Sequence, residues 1–184
     1  HVGENINNLY TGSREIAFEK DRVDDFFKDG SIKLSSEEKS ELFENQFIVG
    51  KNDDNSLLGI HADGYVKKIS PKLNSLIKIN PRNKEQKFAL ELLSRPDIQL
   101  VTLTGIAGSG KTFLTLMAAL SGIQDDNYSR IVITRSMQPV GREIGFLPGD
   151  IKEKMDPWMS PIVDNFRCSF KDMTYFEMMC GKNQ

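Results

Sequence analysis

Cysteine is scarce. The only two, Cys168 and Cys180, have neither a CxxC partner nor a neighbouring His, which argues against a zinc knuckle and against a disulfide-stapled scaffold. Both are read as reduced core thiols, and the chain is expected to be cytoplasmic. Long apolar runs are missing as well: stretches such as Phe113 to Leu120 are interrupted by Thr and fall short of the roughly 20 residues needed to cross a bilayer. No membrane partner is expected. Neither sign of charge is in excess, the formal net charge being −2, so a strongly basic, nucleic-acid-coating protein is excluded while a local basic groove is not. Charge is −3 through residue 78 and +1 beyond it, too small an asymmetry to choose a partner. The opening HVGENINNLY has neither the charged start nor the apolar middle of a secretory signal and begins on His1, so an internal start within a longer parent is expected. There is no internal repeat and no low-complexity tract.

What is present suits a folded chain. With 39% hydrophobic and 27% charged residues, 184 residues suffice for one domain, or for a small module joined to part of a larger one. Residues 14 to 19 (REIAFE) alternate like a strand, and DRVDDFFKDG follows with helical spacing of Val23, Phe26 and Phe27 until Gly30 ends it. SSEEKSEL offers Ser35 or Ser36 as the N-cap of a short helix. A strand begins at Phe47 to Val49. SLLGIHADGYVKKI reads as two strands joined at Ala62-Asp63-Gly64, because Asp-Gly supplies the positive φ angles of a tight hairpin. Residues 1–78 are therefore expected to form a small β-rich module.

Beyond it the punctuation becomes βαβ: a helix Lys84 to Leu93, a break at Pro96, a strand Gln99 to Thr104, a glycine loop, a helix to about Leu120 and a second strand Arg130 to Thr134. A loop is expected at Gln138 to Gly149, then helices near Ile151 to Met155, Trp158 to Phe166 and Tyr175 to Met179. Residues 79–184 are expected to be the front part of a P-loop NTPase. The fold class expected for the whole is α/β: a helicase-like parallel sheet with flanking helices, preceded by the β-rich module.

The octet GIAGSGKT matches G-x-x-x-x-G-K-[ST] at every fixed position, and it sits between a predicted strand and a predicted helix. Gly105, Gly108 and Gly110 let the backbone curl, so that the amides of Gly105, Ile106, Ala107, Gly108, Ser109, Gly110, Lys111 and Thr112 can point at phosphate oxygens. The N-terminal end of the following helix adds its positive dipole. Lys111 is placed to bridge β- and γ-phosphates and the Thr112 hydroxyl to join a magnesium shell, giving ATP and Mg2+ as the expected cofactors. The bland alternative is a glycine turn that binds nothing, which the flanking elements make less attractive.

Other candidates are weaker alone. Gln86 has an amide that can donate and accept at an adenine edge, or it is simply a solvated helical residue. Arg135 and Arg142 are read as phosphate or nucleic-acid contacts, against ordinary surface arginines. Trp158 and Phe166 are spaced like one helical face and His61 borders a turn; both are read as structural. One part is missing: no acidic residue ends an apolar strand after Lys111, since Ile131 to Thr134 runs into Arg135, and Asp150, Asp156 and Asp164 fall in loop or helical context.

Together, PRNKEQKFAL, LVTLTGIAGSGKTFLTL and IVITRSMQPVGREIGFLPGDIKEKMDPWMSPIVDN resemble the PhoH-like ATPase family from about residue 78 to 170, the stretch Arg135 to Asn165 being the most specific. NLYTGSREI, Asn8 to Ile16, looks like the connector that joins a PIN ribonuclease domain to a PhoH domain, although no PIN carboxylate cluster is present. The resemblance implies ATP hydrolysis, a fold like the first motor domain of superfamily 1 helicases, hexameric rings, and RNA unwinding coupled to cleavage when a PIN domain is attached. It makes Gln86 the adenine contact, Gly105 to Thr112 the phosphate and magnesium site, and Arg135 and Arg142 channel or inter-subunit residues. The chain departs from the family pattern in lacking the acidic strand and the later arginine motif. Three readings follow: an RNA-directed ATP motor, a P-loop small-molecule kinase, and a nucleotide-binding module without turnover.

Overall fold

The computed structural model describes residues 10–134 apart from 53, 54, 76 and 78. The chain divides into two compact units, residues 1–103 and 104–184. Arg135, Arg142, Cys168, Cys180, Trp158, Phe166 and everything expected beyond Thr134 lie outside the described residues.

The first unit opens with strand β1 (Ser13–Ala17), helix α1 (Lys20–Asp29) and a short strand β2 (Ser31–Lys33). Helix α2 (Ser36–Ser40), strands β3 (Phe47–Lys51), β4 (Ser56–Ala62) and β5 (Tyr65–Lys68), and helix α3 (Lys84–Leu93) follow. The five strands form one sheet in the order β1-β3-β4-β5-β2. Only β1 and β3 run parallel; the other three pairings are antiparallel. The β4–β5 hairpin turns on two residues, Asp63 at φ 55° and Gly64 at φ 79°, the pair of positive angles that matches the right-handed twist of the strands.

Both faces of this sheet are covered, which explains why β3 reads as a continuous apolar run rather than an alternating one. On one face Ile48, Leu57 and Val66 pack with Val23 and Phe26 of α1 and with Phe18, Ile32, Leu34 and Leu42. On the other, Phe47, Val49, Ile60 and Ile69 receive Phe88 of α3, whose ring stacks on Phe47 at 4.2 Å between centroids and 8° between planes. Residues of the expected second domain therefore complete the core of the first. The link from β5 to α3 is fastened to that helix: the Ser70 amide donates to Glu91 Oε2 at 2.8 Å and the Lys72 amide to Ser94 Oγ at 3.3 Å. Burial pushes the Glu91 carboxyl above the ordinary carboxylate range, against the pull of the Ser70 amide.

Local capping is as the sequence suggests. Ser35 starts α2 with a reciprocal box, its Oγ accepting from the Glu38 amide at 3.1 Å while Glu38 Oε2 accepts from the Ser35 amide at 2.8 Å. Arg22 of α1 also donates to Glu38, at 2.7 and 3.1 Å, and this guanidinium is the main reason the Glu38 carboxyl lies below its ordinary value of 4.5. A carboxylate depressed in the folded state adds stability that is complete above its unfolded pKa and is lost as pH falls through the folded one. Urea midpoints measured below pH 4.5 should therefore drop in the parent, and drop less steeply in Arg22→Gln; equal slopes would show the pair to be inert.

Two expectations are corrected. Neither Gln99 to Thr104 nor Arg130 to Thr134 forms a strand, and no parallel sheet flanks the glycine loop among the described residues. Leu100 is 84% and Val132 74% exposed. Apolar alternation specifies a strand only when neighbouring strands accept its backbone groups, and a parallel ladder draws those neighbours from distant sequence. The architecture remains mixed α/β, with its sheet in the first unit.

Candidate nucleotide-binding site

The second unit begins at Thr104, so its described part opens on the glycine loop and continues into α4 (Lys111–Gln124), a helix of 14 residues. Leu114, Leu116, Met117, Ala118, Leu120, Ser121 and Gly122 of α4 are buried, which anchors the helix whose N-terminus the loop meets. Gly105, Gly108 and Gly110 have φ of 151°, 78° and 91°. A Cβ on Gly108 would touch nothing within 4 Å, so glycine is required there by backbone conformation and not by crowding. Gly110, in the left-handed region, is the N-cap of α4 and offers no side chain to its first amides. Those amides remain the natural donors to an anion.

Lys111 folds back over the loop. Its Nζ donates to Gly105 O at 2.9 Å, Ile106 O at 2.7 Å and Ser109 Oγ at 3.3 Å. An ammonium has three donors, and here the loop accepts all of them. Ile106 turns its side chain to solvent, 82% exposed, while its carbonyl takes the shortest of these bonds. Thr112 is exposed on the first turn of α4, which suits a hydroxyl that would join magnesium together with phosphate oxygens and water. No group of three or more His, Cys, Asp or Glu side chains that could hold a metal ion occurs among the described residues.

Gln86 belongs to the first unit, on the opening turn of α3. Its Oε1 accepts from the Arg82 amide at 2.8 Å, and its own amide donates to Asn83 Oδ1, also at 2.8 Å. Asn83 is thus the N-cap of α3, and the Gln86 side chain ties the helix back to Arg82 just before it, a contact the sequence reading missed. His61 is buried with Nδ1 2.9 Å from Phe43 O, a structural arrangement as expected. The first unit also holds an open cleft of about 560 Å³ beside α3, bordered by Lys68, Lys72 and Arg95 but also by Glu44, Glu91 and Asp97. It contains none of the motif residues, and its opposed charges favour no one ligand.

A loop rich in positive-φ glycines, closed by its own lysine and running into a helix N-terminus within an α/β chain, is the construction of a P-loop protein. The profile of the PhoH-like protein family matches residues 78–183, and the chain belongs to that family. ATP binding is general to the family. Protein PhoH2 of Bacillus subtilis is 36% identical over 168 residues, covering 88% of this chain and 38% of that protein. Protein PhoH2 of Thermobispora bispora is 31% identical over 166 residues, 89% of this chain and 37% of its own length. A PhoH-like protein of Bacillus subtilis is 42% identical over 65 residues, 35% of this chain and 20% of that protein. The chain thus spans less than two-fifths of the length of the first two. No solved structure matches. No helix among the described residues is long and apolar enough to cross a membrane.

Proposed function

We propose that Gly105 to Thr112 binds ATP with magnesium, and that in a longer protein this site drives an ATPase whose turnover is coupled to RNA. The observation that carries the reading is the loop itself: three positive-φ glycines leading into a helix N-terminus, with the Lys111 ammonium folded over them on Gly105 O and Ile106 O. Lys111 would move from those carbonyls to the β- and γ-phosphates, and Thr112 would hold the metal with them. Bound magnesium supplies charge neutralisation at the transferring phosphoryl group. In this reading Gln86 contacts adenine, with the hydrogen bond it accepts from the Arg82 amide as the competing interaction, and Arg135 and Arg142 serve nucleic acid or a neighbouring subunit of a hexamer. Residues 1–78 would act as the connector module and 79–184 as the front of the motor domain, in a cytoplasmic protein.

RNA coupling has a direct test. Phosphate release by the longer protein, measured with and without single-stranded RNA, should rise with RNA. A rise with a small metabolite instead would make the protein a kinase, and binding without release under either condition would make the chain a nucleotide-binding module.

A further inference from the structure

We infer that Ser109 is a positioning residue, whose hydroxyl latches the Lys111 ammonium in a parked state that nucleotide must undo. This rests on the ATP-site reading above and deepens it. Every donor of Lys111 is taken within the loop, by Gly105 O, Ile106 O and Ser109 Oγ. Two of these acceptors are main-chain and are kept whatever the side chains; the third exists only because residue 109 carries a hydroxyl. The loop is stitched at the same place by the Ser109 amide, which donates to Ile106 O at 3.4 Å, so the hydroxyl-bearing residue is fixed relative to the carbonyls that share the ammonium. Ser109 Oγ also lies where a Cβ on Gly105 would stand only 3.5 Å away, so lysine, serine and Gly105 occupy one small concavity.

An arriving triphosphate needs that concavity and that ammonium. Phosphate oxygens can replace the three acceptors, but only after Nζ has left them, so the parked state acts before binding and not in the bound complex. Removing the hydroxyl leaves Lys111 with two loop acceptors. The parked state is weakened, while the bonds that Lys111 makes to phosphate remain.

Stopped-flow mixing of the full chain with a fluorescent ATP analogue and magnesium separates association from dissociation. In Ser109→Ala the association rate should rise about three- to ten-fold, the worth of one ordinary hydrogen bond, as suits a contact of 3.3 Å, with dissociation changed far less. Ser109→Thr, which keeps a hydroxyl, should associate at the rate of the parent. Slower or unchanged association in Ser109→Ala overturns the latch, as does a Thr variant that behaves like Ala. If the parent itself fails to bind the analogue, the ATP-site reading falls and the latch with it. That result is distinct from a parent that binds normally while the variants show no latch.

Discussion

Lys111→Ala should bind ATP and magnesium at least about 100-fold more weakly than the parent, because two charge-assisted hydrogen bonds to phosphate, about 1.5 kcal/mol or more each, are lost together. The substitution also removes the donor that Gly105 O and Ile106 O share in this structure, but those bonds are given up when phosphate enters and do not add to the affinity. The first unit should be untouched, since its two cores are built from residues between Ile16 and Leu92. Equilibrium titration with a labelled nucleotide reads the first effect and circular dichroism the second. Equal affinity in the two proteins would remove Lys111 from the site.

The second large effect is on stability. Phe88→Ala deletes a 6%-exposed ring stacked on Phe47 and opens a cavity between the sheet and α3, which should cost about 3–5 kcal/mol. Against a total of roughly 5–15 kcal/mol for a domain, that is enough to bring the first unit near its unfolding midpoint at ordinary temperature. Urea unfolding followed by far-ultraviolet circular dichroism should show a large drop in midpoint, with Phe88→Leu in between. A loss below about 1 kcal/mol would mean that α3 is not part of the core and that the first module ends before it, as residues 1–78 alone would.

What the sequence discloses divides by range. The Asp63-Gly64 turn, an N-cap at one of the two serines Ser35 and Ser36, Gly30 closing α1 at φ 78° and the full extent of α3 are all written in a few adjacent residues, and each forms where expected, the cap falling on Ser35. So is the glycine loop, whose eight residues are contiguous. Strand β2 escaped notice because three residues are too few to display alternation and its register is set by β5, more than thirty residues later. The parallel β1–β3 pairing is likewise non-local. Gln99 to Thr104 and Arg130 to Thr134 failed for the converse reason, having strand-like composition without a ladder to join among the described residues. At the site, residue types point to phosphate, but no pattern of letters discloses that Lys111 spends its three donors on the loop or that the Gln86 side chain is held by the Arg82 amide.

Main-chain amides decide the account, so they are the groups to watch. In a heteronuclear NMR titration of the nitrogen-15-labelled chain with ATP and magnesium, the amide resonances of Gly105 to Thr112 should move saturably, while those of β3, β4 and β5 hold still. Loop resonances that stay in place at saturating nucleotide, or shifts that appear in the sheet instead, would contradict it.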